Sequence, residues 1–130
     1  MAHVTIVRPR SLFSASAVTL NATPPISLAY LAGSLCDKGH KVKIIDAVGE
    51  AIDQYYPSGL ADLTANGLTN EQVVNRINEN TEVVAISCLF THEWPNVRDL
   101  AEKVKERFPK ALLICGGEHI TAEPVYSLTD

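Results

Sequence analysis

"EVVAISCLF", residues 82–90, is almost wholly apolar. Such a run is expected of a central strand in a parallel sheet covered by helices on both faces. Its flanks agree. Upstream, "TNEQVVNRINEN" (69–80) opens with Thr69 and Gln72 three apart, a capping-box pattern, and puts Val73 and Ile77 on one helical face. Downstream, Val97, Leu100, Ala101, Val104 and Phe108 form the apolar stripe of a helix, with Asp99 and Lys103 placed to pair on its outer side and Pro109 to stop it. "KALLICGG" (110–117) reads as the next strand, and "TAEPVYSLTD" (121–130) opens another helix.

The same alternation extends towards the N-terminus. "HVTIVR" (3–8) is a short β-branched run followed by Pro9 and a Ser/Ala/Asn-rich stretch read as a long loop. "PPISLAYLAGSLCDKG" (24–39) predicts a helix with prolines in its first turn, Leu28, Leu31 and Leu35 on one face, and Gly39 as its stop. "HKVKIIDA" (40–47) alternates lysine with Val42 and Ile44, as an edge strand does. Residues 49–68 show no sustained period and read as an irregular insertion with room for a helical turn. The order β-α-β-α-β-α-β-(α) predicts a single α/β domain over 1–130: a three-layer, doubly wound, Rossmann/flavodoxin-like parallel sheet with strand order 2-1-3-4.

Composition removes several classes of function. With 130 residues the chain suits one core, and a formal charge of −4 supplies no basic field for nucleic acid. Cys36, Cys88 and Cys115 are widely spaced with no CxxC pair, which argues against a disulfide framework or a structural zinc site and for a reducing, cytoplasmic setting. No segment reaches the ~18 apolar residues of a membrane span.

Ligands of such sheets bind beyond the carboxyl ends of the strands. Residues 8–22 after the first strand contain no glycine, which excludes a P-loop or a GxGxxG turn there. A phosphorylatable receiver of this topology needs acids where the chain has "RPR" and an aspartate where it has "SCL". More distinctive is the pairing of "SCL" (Ser87–Leu89) with Gly116–Gly117, 26 residues lying between Leu89 and Gly116. Glycine lets a bulky ligand approach the main chain, and a serine hydroxyl can bond a buried nitrogen heterocycle.

An SxL after the third strand and a GG after the fourth resemble the two later elements of the cobalamin-binding motif of B12-dependent enzymes. The first element, DxHxxG, is missing from residues 8–24; "DAVGEA" (46–51) has valine for the histidine and alanine for the final glycine, and follows the second strand instead. "PPISLAYLAGSLCDKGHKVKIIDA", "SCLF" and "LLICGGEHITAEP" together resemble the N-terminal cobalamin-binding domain of B12-dependent radical SAM enzymes, in which that histidine motif is commonly absent. The resemblance spans nearly the whole chain. It implies that Ser87, Cys88, Leu89, Phe90 and Thr91, with Gly116, Gly117, Glu118 and His119, line the slot for the nucleotide tail. It also implies a truncated domain lacking its fifth strand, no catalytic residue or metal ligand of its own, and a C-terminal radical SAM domain outside the chain. In the parent enzyme it implies methyltransferase-like or related radical chemistry using cobalamin, S-adenosylmethionine and a [4Fe-4S] cluster.

Plainer readings stand beside these. Glycines at a strand end can serve a tight turn, and His92 and His119 read as solvated loop histidines. Cys88 and Cys115 read as small core residues; Cys36, with Ala29, Ala32 and Gly33, reads as a close helix–sheet contact. Tyr55, Tyr56 and Trp94 suit a partly buried cofactor face or interface. Two rival functions remain: the N-terminal half of a two-domain glycosyltransferase, which "SLAYLAGSLCDKGHKVKIID" also resembles, and a non-catalytic α/β interaction domain using 49–68.

Overall fold

The computed structural model describes residues 1–17 and 23–130; residues 18–22, part of the loop expected after the first strand, lie outside the described residues. The elements, in order, are β1 (His3–Arg8), β2 (Ser11–Ser14), α1 (Ile26–Asp37), β3 (Lys41–Asp46), α2 (Ala47–Glu50), β4 (Tyr55–Pro57), β5 (Leu63–Asn66) and α3 (Asn70–Arg76). There follow β6 (Val83–Ser87), a 3-10 turn at Thr91–Glu93, α4 (Trp94–Arg107), β7 (Leu112–Gly116), α5 (Glu118–Ala122) and α6 (Pro124–Thr129). The main sheet is parallel with order β3-β1-β6-β7, the order expected from the alternation.

Why the helices form is visible locally. The Thr69 hydroxyl accepts from the Gln72 N–H at 3.1 Å and the Gln72 side chain accepts from the Thr69 N–H at 2.9 Å, the reciprocal pair expected at the start of α3. On α4, Val97, Leu100 and Val104 are buried while Asp99 and Lys103 pair outside at 3.2 Å. On α1 the packed stripe is Leu28, Ala32 and Leu35. Leu31, expected on that face, is exposed, and so is Cys36. The small-residue contact read from Ala29, Gly33 and Cys36 is therefore corrected: an i, i+4, i+7 stripe starting at Leu28 selects Ala32 alone of the small residues.

Period-two alternation divides the sheet into two unequal cores. Val84, Ile86 and Cys88 point into the larger one with Val7, Ile45 and the apolar faces of α3 and α4. Val83 and Ala85 point the other way, towards Val4, Ile6 and Leu28. The expectation that residues 82–90 are covered on both faces needs correcting. On this second face α1 lies over β3 and β1, and Leu112 and Ile114 of β7 stay 59% and 47% exposed.

A second, antiparallel sheet, β2-β5-β4, was not expected from the sequence. It places a strand inside the stretch read as loop and two within residues 49–68, read as irregular. Its strands are only three or four residues long, too short for a local period to betray them, and β2 joins by a non-local pairing, Leu12 opposite Ala65. Leu12 and Ala65 are buried, and the Asn66 amide donates to the Ile52 and Gln54 carbonyls at 2.8 and 3.1 Å. Arg10 fastens this sheet to α4: its Nε donates to Asn96 Oδ1 at 2.6 Å and its Nη2 to the Ser58 carbonyl at 3.2 Å. None of the helices among the described residues is long and apolar enough to cross a membrane.

Candidate functional site

The order in which strands are added to the sheet reverses between β1 and β6, from one side of β1 to the other, and sheets of this class hold ligands at that place. Beside that point the strand ends carry the two motifs. Residues two apart on a strand share a face, so Ser87 and Leu89 turn to the uncovered face while Cys88 between them is fully buried behind. That spacing is the physical content of SxL. The Cys88 N–H donates to the Gly116 carbonyl at 2.7 Å, lacing the two strand ends together. Burial, with lesser contributions from Glu93 and Cys115, pushes the Cys88 thiol up to about 12. Cys115 is raised by burial too. Both thiols behave as the core residues they were read to be.

The two glycines do different work. Gly117 has φ of 117°, and a Cβ on it would collide with the Cys88 carbonyl, lying 2.8 Å from its carbon. Gly117 is thus required by the protein's own backbone. Gly116 sits opposite Ser87, and a Cβ on it would meet nothing within 4 Å. Among the described residues, no atom takes up the space it leaves.

That space is the mouth of a groove of about 590 Å³ between α1 and the uncovered part of the sheet. Val4, Ile6, Val83, Ala85 and Ile114 line its floor and Leu28, Leu31 and Leu35 its wall, with Ser27 and Ser34 along the helix. Ser87, Leu89, Gly116 and Gly117 lie at the carboxyl end; Ala2 and His40 lie at the other, the Ala2 N–H donating to His40 Nδ1 at 3.2 Å. Sequence reasoning reached the mouth and missed the floor and the wall. The signal for the floor was the parity of Val83, Ala85, Ser87 and Leu89; for the wall it was Leu31, apolar yet outside the packed stripe.

The other residues named from the sequence lie elsewhere. Glu118 is exposed, and Phe90 stacks its exposed ring on His92 at 5.8 Å. His92 also reaches the Leu12 carbonyl at 3.2 Å. His119 is buried, 2% exposed, which corrects its reading as a solvated loop residue. Its Nδ1 is 3.2 Å from Thr91 Oγ1, its Nε2 is 3.4 Å from Ser127 Oγ, and its ring lies 5.3 Å from that of Trp94. The sequence could not show this, because α6 must fold back to bring Ser127 over the ring. Trp94 is itself a core residue with its Nε1 donating to Asp130 at 2.9 Å; Tyr55 is exposed at the edge of Phe13, and Tyr56 lies under the Arg10 guanidinium. At the ends of β1 and β3, Arg8 pairs with Asp46 at 3.4 Å and donates to the Thr23 carbonyl at 2.7 Å, so the aspartate of "DAVGEA" is engaged within the protein. Among the described residues, no group of three or more histidine, cysteine or acidic side chains could hold a metal ion.

Comparison with known proteins meets this geometry. The family described as "B12 binding domain" matches residues 15–129. Cytidylyl-2-hydroxyethylphosphonate methyltransferase of Streptomyces wedmorensis is 31% identical over 110 residues, covering 83% of this chain and 21% of the relative. The chain thus spans about a fifth of the length of that curated relative. No solved structure matches.

Proposed function

The chain belongs to the B12-binding domain family, and from that premise we propose that its groove receives the nucleotide tail of cobalamin while the corrin rests across the strand ends. One observation carries this: the bare backbone of Gly116 opens, beside the Ser87 hydroxyl, onto an apolar groove that no side chain among the described residues fills. The fit is chemical as well as spatial. A flat, mostly apolar aromatic base suits walls of leucine, valine and alanine, and a hydroxyl at the mouth can bond a ring nitrogen or a sugar oxygen. Ser87, Leu89, Gly116 and Gly117 would hold the tail directly. Cys88, Thr91, Glu118 and His119 would act from behind or beside it, and Phe90 would lie at the rim. Bound cobalamin supplies a cobalt centre able to carry a methyl group.

The 130 residues bind and present the cofactor and are not catalytic alone. The longer protein, in this reading, is a B12-dependent radical SAM enzyme of methyltransferase-like chemistry. Its S-adenosylmethionine and [4Fe-4S] cluster are held by a domain outside these residues, in the cytoplasm. Support comes from the resemblance of the sequence to the N-terminal domain of such enzymes and from a relative that is named a methyltransferase. The glycosyltransferase alternative loses its ground to the family match.

The test mixes hydroxocobalamin with the purified chain, and with a version extended past Asp130, then removes free ligand by desalting. Corrin absorbance should travel with the extended protein at about one equivalent. An extended protein that carries no corrin band would overturn the proposal. For the parent, the coding region after residue 130 should contain CxxxCxxC.

A further inference from the structure

We propose that His119 is a positioning residue: its imidazole latches Thr91 to the helix after Gly117 and so sets the shape of the groove mouth. The inference rests on the reading of that groove as the cobalamin slot. The hydrogen-bond network assigns the proton on the ring. Ser127 Oγ uses its one hydrogen on the Glu123 carbonyl at 2.8 Å, so towards His119 Nε2 it can only accept. Nε2 therefore carries the hydrogen, and Nδ1 accepts from the Thr91 hydroxyl at 3.2 Å. Both nitrogens are occupied within the protein and the ring is buried against Trp94. His119 does not point at a ligand.

What it holds is the segment behind the mouth. One hydrogen bond laces the strand ends themselves, the Cys88 N–H to the Gly116 carbonyl, and the Gly117 backbone passes close against the Cys88 carbonyl. Leu89 and Phe90 come next and are both about half exposed, the Phe90 ring resting on His92 of the following turn. The turn at Thr91–Glu93 closes this stretch, through Glu93 N–H to the Phe90 carbonyl and Trp94 N–H to the Thr91 carbonyl. The His119–Thr91 bond anchors that turn to α5, and with it the path of Leu89 across the groove.

Amide exchange in the unliganded chain reads the latch directly. His119→Leu and Thr91→Val should each speed exchange of the Glu93 and Trp94 amides by about tenfold, while the Val84 and Leu100 amides of the core keep their protection. The double variant should be no looser than either single one. His119→Asn, whose side-chain oxygen falls near the Nδ1 position, should return exchange to within about threefold of wild type. Unchanged exchange in His119→Leu, equal loosening at Val84 and Leu100, or no rescue by asparagine would each overturn the proposal. A second arm measures the hydroxocobalamin Kd, expected to weaken about fivefold in His119→Leu and Thr91→Val and to recover in His119→Asn. A wild-type protein extended past Asp130 that binds no hydroxocobalamin defeats the slot reading, and the exchange pattern still decides the latch. If wild type and His119→Leu bind equally, the latch fails and the slot reading stands.

Discussion

Adjacent glycines with opposite obligations give the sharpest test at the scale of the residue. Gly117→Ala forces a Cβ into the Cys88 carbonyl at a positive φ, and should cost about 2 kcal/mol or more in urea unfolding. Gly116→Val adds bulk where the described residues leave open space, on a strand that tolerates β-branched residues. It should leave the unfolding midpoint within about 0.5 kcal/mol of wild type and weaken hydroxocobalamin binding by about tenfold. The reverse pattern would mean that the groove mouth is not where the ligand lies. Thiol reactivity is equally residue-specific. A thiol raised on folding stays protonated and unreactive until pH climbs towards its shifted value, and Cys88 lies at about 12. Iodoacetamide at about pH 8.5 should therefore label exposed Cys36 and spare native Cys88 and Cys115, giving one adduct by mass spectrometry. Ser87 and the glycines were legible from sequence because their chemistry and spacing are local. His119 was not, because its environment is assembled from Thr91, Trp94 and Ser127 on separate elements.

Among the elements, those with a strong local signal were the readable ones. The capping box at Thr69 and Gln72 and the stripe on α4 are written within a dozen residues, and both stand in the structure as the sequence implies. Thr69→Ala, which removes the hydroxyl accepting from Gln72, should cost about 1 kcal/mol by urea unfolding and shift the midpoint without changing the slope. A loss below a few tenths would mean that tertiary packing alone holds the start of α3. The small sheet β2-β5-β4 was illegible for the opposite reason: "SLFS" and "YYP" are too short to carry a period of their own, the first becoming a strand only by pairing across about fifty residues and the second by pairing with β5 about ten residues on. The strand at 82–90 was half legible. Its apolar run identified a central strand, but apolar residues on both faces do not say whether a helix or a ligand covers each one.

At the scale of the whole molecule the fold is lopsided, with α3 and α4 packed on one face of the sheet and α1 over part of the other. The exposed floor is where a tail would gain most from burial. Hydroxocobalamin should therefore raise the unfolding temperature of a binding-competent protein, and cobinamide, which has the corrin but no nucleotide tail, should raise it much less at equal concentration. Equal shifts from the two would place the binding energy on the strand ends and leave the groove idle. The covered side of the same sheet offers a consequence of a different kind. Trp94 is the chain's single tryptophan, and it sits in the core against His119, one layer behind the strand ends. Its emission overlaps the near-ultraviolet absorption of corrins, so energy transfer to a bound corrin would dim it, and the protein carries its own optical gauge of occupancy without a label.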